Sequence, residues 1–121
     1  MTGNVAVGFI SAGQPSPITI PTNWGTQGGG ASPQTSTAKT LTVPAGNPGN
    51  VLLHYTVAPT GTGQYIKNGG APVTFTVDTV VNFANTDTLA FKLTGAGDIM
   101  NVTVTDNTTS AVIGTISLST A

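Results

Sequence analysis

One histidine, four aspartates and three lysines are nearly all the ionisable chemistry this 121-residue chain offers, with no cysteine, arginine or glutamate. A histidine-based triad or metal cluster would have to centre on His54. A triad needs a nucleophile and an orienting acid around the imidazole, and no serine sits in a nucleophile elbow. His54 therefore reads as an outward or interface histidine without a catalytic role. Carboxylate pairs can only come from Asp78, Asp87, Asp98 and Asp106. All four fall at or near predicted strand ends or turns, where aspartate bonds to nearby backbone. A calcium site needs six or more oxygens, usually from several carboxylates, and no Asp-x-Asp spacing supplies them. Without cysteine there is neither a disulfide nor a thiolate metal site. The residue types predict a non-enzymatic protein with no cofactor and no metal.

The remaining motifs are mostly turn chemistry. Gly28-Gly29-Gly30 and Gly61-Thr62-Gly63 lack the later residues of a phosphate cradle. Asn101-Val102-Thr103 and Asn107-Thr108-Thr109 match the glycosylation acceptor pattern. In a threonine-rich chain such matches arise by chance, and Met1 to Ile10 do not read as a secretory signal. Among the aromatics, Tyr55 patterns inward. Trp24 and Tyr65 lie in irregular stretches and divide between intramolecular anchoring, partner contact and glycan contact. Trp24, Tyr65 and His54 are the candidate partner-binding residues. Trp24 with Asn23 and Gln27 is the cluster a glycan reading would need.

Charge sets further bounds. Charged residues make up 6% of the chain and the net charge is −1, against roughly a quarter charged in ordinary domains. Nucleic-acid binding needs clustered lysine and arginine, and so does binding to anionic lipid. Neither is expected. So little net charge also gives weak repulsion between copies.

Alternation is what must position these residues. Val51, Leu53, Tyr55 and Val57 face inward and Leu52, His54 and Thr56 outward. Val73, Phe75 and Val77 alternate with Thr74 and Thr76. Leu89, Phe91 and Leu93 alternate with Thr88, Ala90 and Lys92, and Met100, Val102 and Val104 with Asn101, Thr103 and Thr105. Period-two patterning buries one set and exposes the other. Strands are predicted near 41–43, 51–57, 72–77, 79–83, 87–94, 99–106 and 111–119, the last with Val112, Ile116 and Leu118 on one face. Asn68-Gly69-Gly70 supplies the positive φ of a tight turn. About seven or eight short strands with frequent turns imply an all-β sandwich. Residues 39-121 are the sandwich domain. Residues 1-38 hold a first strand at Val5, Val7 and Phe9, followed by a proline- and glycine-rich arm anchored by Trp24. That arm is expected to be dispensable for folding.

Two passages carry a resemblance. One is Asn68-Gly69-Gly70 followed by Val80 to Leu93; the other is Val102-Thr103-Val104-Thr105-Asp106-Asn107-Thr108-Thr109 followed by Ile113-Gly114-Thr115-Ile116. Over about residues 40–121 the chain resembles the immunoglobulin-like sandwich modules of bacterial and bacteriophage surface proteins. It departs at Thr86, where those modules usually carry glycine before the aspartate. The resemblance implies capsid decoration, tail-fibre building or weak glycan adhesion.

The expected fold is thus an all-β, immunoglobulin-like or jelly-roll-like antiparallel β-sandwich with an extended N-terminal arm. The expected function is that of a virion structural protein, a capsid decoration or cement protein assembled in the host cytoplasm. Its partners would be the major capsid protein or other virion proteins, and it would form a homo-oligomer, with a trimer favoured. Sandwich edges with few guarding lysines would be covered by neighbours. The alternative is a tail-fibre or adhesin module that binds host-surface glycan.

Overall fold

The computed structural model describes residues 14–121; the first strand expected at Val5, Val7 and Phe9 lies outside them. Ten strands follow in order: β1 (Gly25–Gly28), β2 (Gln34–Thr35), β3 (Lys39–Thr40), β4 (Asn50–Val57), β5 (Gly63–Lys67), β6 (Val73–Thr74), β7 (Thr79–Asn82), β8 (Thr88–Leu93), β9 (Ile99–Asp106) and β10 (Val112–Ser119). They make a two-sheet sandwich. Sheet I has the order β1-β10-β9-β4-β7. Sheet II has β2-β8-β5-β6, with β3 pairing the same strand β8 further along. Every pairing is antiparallel except β1 on β10, which is parallel.

The predicted inward set fills the space between the sheets. Val51, Leu53, Leu89, Phe91, Leu93, Met100, Val102, Val104, Ile116 and Leu118 are all buried. Phe75 joins the centre, stacked on Tyr55 at 4.4 Å between ring centroids and met edge-on by Tyr65. Asn68 and Gly69 both take positive φ between β5 and β6, and Gly70 N donates back to Lys67 O at 3.0 Å. This is the tight turn that Asn-Gly favours.

Four inward assignments come out differently. Val112 is 62% exposed. Val104 pairs with Gly114 but Thr105 pairs with Val112, so Ile113 is an extra residue in β10. A bulge of this kind shifts the alternation by one and turns Val112 outward, while Ile113 packs against the core. Val73 and Val77 are exposed at 44% and 70%, because the expected strand 72–77 ends at Thr74. The chain crosses there from sheet II to sheet I, and only Phe75 stays inside. Val57, at the far end of β4, is also largely exposed.

Residues 14–38 run along the sandwich. Ile18 and Trp24 belong to the core, and Thr19 bridges Thr42. β2 and β3 are two pieces of one interrupted edge beside β8. At the break Ser36 N donates to Phe91 O, and Ser36 Oγ accepts from Phe91 N at 2.9 Å. The serine hydroxyl replaces the carbonyl that an unbroken strand would offer. Gly114 lets Trp24 in: a Cβ there would come within 3.0 Å of the indole and 2.8 Å of Asn23 Oδ1.

Two buried carboxylates hold β9 at its ends. At the C-terminal end, Asp106 Oδ2 accepts from Ile18 N at 3.0 Å and Asn47 Nδ2 at 2.9 Å. Its Oδ1 accepts from Thr108 N and Thr109 N. At the start, Asp98 accepts from Thr60 N and Oγ1, Gly61 N and Ile99 N. Burial pushes the Asp106 carboxyl up, but its four donors outweigh burial and hold it below the ordinary carboxylate value. The Thr60 backbone N–H leads the donors that lower Asp98.

Four outcomes follow. A carboxyl with a lowered folded pKa stabilises the fold above its unfolded value and loses that contribution as pH falls through the folded one. The urea midpoint should therefore hold from neutral pH down to about 4 and fall below it, and Asp106→Asn should flatten the fall. At pH 7, Asp106→Ala should cost about 3 kcal/mol in urea unfolding, since it orphans buried donors. Thr86 carries φ +74°, the left-handed region that a β-branched residue rarely enters. Thr86→Gly should raise stability by about 0.5–1 kcal/mol, strain relief less the glycine entropy cost. Deleting residues 1-38 removes Ile18, Trp24, β1 and β2; the remainder should show no cooperative unfolding transition by circular dichroism.

Candidate functional site

The three candidate residues lie apart. Trp24 is 4% exposed. Its ring meets Phe91 edge-on at 5.5 Å, and its Nε1 donates to Thr37 O at 3.1 Å. Tyr65 is half-buried against Phe75 and the core. His54 alone is exposed; its Nδ1 lies 2.7 Å from Asp78 Oδ1, with both side chains about half in solvent. An exposed pair of this kind contributes about 0–1 kcal/mol.

The cluster required for a glycan at Trp24 is committed elsewhere. Gln27 Nε2 donates to Trp24 O and Thr37 Oγ1, and its Oε1 accepts from Thr37 N at 2.8 Å. Asn23 Oδ1 accepts from Thr115 N, and its Nδ2 donates to Thr115 Oγ1. The Gln27–Thr37 bonds clasp β1 to the interrupted edge of sheet II, while the Asn23 bonds tie the residues before β1 to β10 of sheet I. Tyr55 is spoken for as well: its hydroxyl donates to Phe75 O at 2.8 Å, and burial pushes its pKa up to about 12.

Among the described residues, no three His, Cys, Asp or Glu side chains lie together as metal ligands. Each buried aspartate already accepts from several donors, as described above, and Asp87 accepts from Ala84 N. Those backbone and Asn68 bonds lower the Asp87 carboxyl, with a smaller contribution from Lys67. Asp87, Asp98 and Asp106 are occupied in fixing loops, and Asp78 pairs with His54.

What the register does assemble is a face. All three lysines fall on strands of sheet II: Lys39 on β3, Lys67 on β5 and Lys92 on β8. The outer face of sheet I carries none. Its cross-strand rows follow from the pairing. Val80, Leu52, Thr105 and Val112 form one row across four strands. His54, Thr103 and Thr115 form the next. Val57, Asn101, Ser117 and Thr26 form a third, spanning β4, β9, β10 and β1. The first row is apolar, with Val80 and Val112 more than half exposed. The other two are hydroxyl and amide except for Val57 at the end of the third, with His54 their sole titratable group. Single-residue reasoning found only His54 here. Threonine alternation was visible in the sequence, but the turned-out Val112 depends on the β10 bulge.

The edges are managed within the chain. β6 has two residues and β7 four, and very short edge strands offer little template for pairing. Lys67 Nζ caps Asn82 O at the end of β7 at 2.7 Å. These two edges are short and one is capped by a lysine, so shortness adds to the covering by neighbours expected for edges with few lysines.

No family model, curated protein or solved structure matches this chain.

Burial of Trp24 gives a direct check. Its fluorescence should resist acrylamide quenching in the folded protein and become quenchable in urea. Trp24→Ala should cost about 3–5 kcal/mol in unfolding free energy, whereas His54→Ala should change it by less than about 1 kcal/mol.

Proposed function

We propose that this protein is a non-enzymatic virion structural protein, a capsid decoration or cement protein that docks through the outer face of sheet I. The row Val80–Leu52–Thr105–Val112 on a lysine-free face is the observation that carries this reading. Docking a surface strips water from it. Lysines are depleted at interface cores because desolvating them costs more than their contacts return, and exposed apolar side chains gain from burial. Sheet II keeps the cations and faces solvent. The reading also draws on the resemblance to phage surface modules over residues 40–121 and on the low charge, which lets copies pack closely. Within it, the chain self-associates on the particle, with a trimer favoured.

Electron microscopy of particles from the native source tests this. Regular copies on the shell are the expected result; absence of the protein from purified particles overturns it. A Val80→Lys, Val112→Lys double variant should keep its thermal midpoint within a few degrees, since both sites are exposed, and should fail to incorporate. Normal incorporation of that variant would refute docking through this face. Light scattering of the free protein at high concentration reports separately on the trimer.

A further inference from the structure

At the end of the same face away from the apolar row lies a depression of about 250 Å³. The side chains around it are Thr26, Thr56, Asn101, Thr103, Thr115 and Ser117, with backbone from Gly25 closing one rim. Its shape comes from an irregularity in pairing. Val57 pairs with Asn101 but Tyr55 pairs with Val102, so Thr56 is an extra residue in β4. Its hydroxyl turns to donate to Asn101 O at 3.3 Å. The bulge opens the space between β4 and β9, and the parallel strand β1 walls the far side.

One atom here is unexplained by the fold. Asn101 Oδ1 is sealed from solvent and has no hydrogen-bond partner among the described residues. A buried amide acceptor without a donor is unfavourable, and nothing in the packing of β9 requires an amide at this outward position. The lining narrows what could supply the donor. No carboxylate lines the cup, so it has no ionic attraction for a cation. No lysine lines it either, so it has none for an anion. It offers hydroxyls that both donate and accept and one amide whose oxygen lacks a donor. Its volume is below the roughly 300–1,000 Å³ of pockets that take drug-sized ligands, which limits the occupant to a single ring-sized unit.

We propose that this cup binds one neutral, polyhydroxylated ring, a monosaccharide unit of a glycan, with Asn101 turning its amide to accept a hydroxyl proton from the sugar. The site is separate from the Trp24, Asn23 and Gln27 cluster, and it does not rest on virion docking: its centre at Asn101 lies four residues along β9 from Thr105 of the apolar row, roughly 13 Å, and its Thr103 rim two residues, roughly 7 Å.

The test is a titration of the full chain with methyl glycosides of glucose, galactose, mannose and N-acetylglucosamine, read by amide NMR. At least one should bind in the millimolar range and move the Asn101 side-chain Nδ2 resonances together with the Thr103 and Ser117 backbone amides. Glycerol at matched concentration should not. Thr103→Val, which keeps shape and removes a hydroxyl, should weaken that binding about tenfold. Asn101→Ala should do the same, and the threonine variant keeps the test decisive if the asparagine variant unfolds. The proposal is overturned if no glycoside shifts these resonances, if glycerol shifts them equally, or if both folded variants bind as the parent does. An Asn101→Ala protein that gains stability while no sugar binds marks the orphan oxygen as a water site only, which also overturns it.

Discussion

A buried carboxylate must be met by donors, and this chain has almost no cations to meet it with. Asp106, fully buried at the end of β9, is satisfied by neutral donors: two backbone N–H groups of its own hairpin, the Ile18 N–H and the Asn47 amide. That solution determines a good deal of the architecture. Ile18 is 88 positions away in sequence, so the segment leading to Trp24 has to pass the end of β9 before it can turn into β1. Asn47 also donates to Ser16 O, which ties the same segment to the loop before β4. Asp98 does the equivalent at the opposite end, fixing the 60–61 loop where the chain leaves sheet I for sheet II. β9 is thus a central strand pinned at both tips, and the rows on its outer face inherit their register from it.

Elements governed by local pattern were legible in the sequence. β9 alternates as written, β4 does so as far as Tyr55, β8 does so except that Ala90, expected outward, is buried, and Asn68-Gly69 makes its turn, because in each case the residues that decide the conformation are neighbours. What was not legible was decided at a distance. Nothing near Val112 announces the bulge that turns it outward; the cause is a mismatch with Thr105 on another strand. Val73 and Val77 look like core, but the chain changes sheets between them, and a crossing is a property of the whole topology. The breaker-rich stretch before residue 39 has no strand signal, yet β1 forms there. Its parallel partner β10 and the space over Gly114 supply what its own sequence lacks. Thr86 shows the opposite order of influence. Tertiary contacts, including Thr86 N to Leu41 O, hold a threonine in a conformation that glycine adopts without strain.

The candidate site was legible only in part, for the same reason. Residue-by-residue inspection favours conspicuous side chains, and the most conspicuous one, Trp24, is core. A face made of threonine, valine and asparagine contains no conspicuous residue. Its character comes from rows that join four strands, and a row exists only once register is fixed. The two bulges, in β4 and β10, mark its two ends: one opens the hydroxyl cup and the other sets Val112 beside Thr105.

Segregation of charge between the sheets gives the face its meaning. With three lysines in all, an even distribution would put at least one on each sheet. Instead sheet II holds all three, and two of them are committed: Lys39 Nζ donates to Thr22 Oγ1, and Lys67 Nζ to Asn82 O. Sheet I is left with side chains whose desolvation is tolerable if their hydroxyls find partners and favourable where they are methyls. Threonine supplies both on one short side chain and loses little rotamer freedom on being covered, being β-branched and already restricted at χ1. A face of this composition loses less on contact than a lysine-studded one would, and it discriminates through hydroxyl geometry rather than charge. The proposed lattice contact at the apolar row and the proposed sugar ring in the cup would both draw on this property, neither requiring an ionic contact.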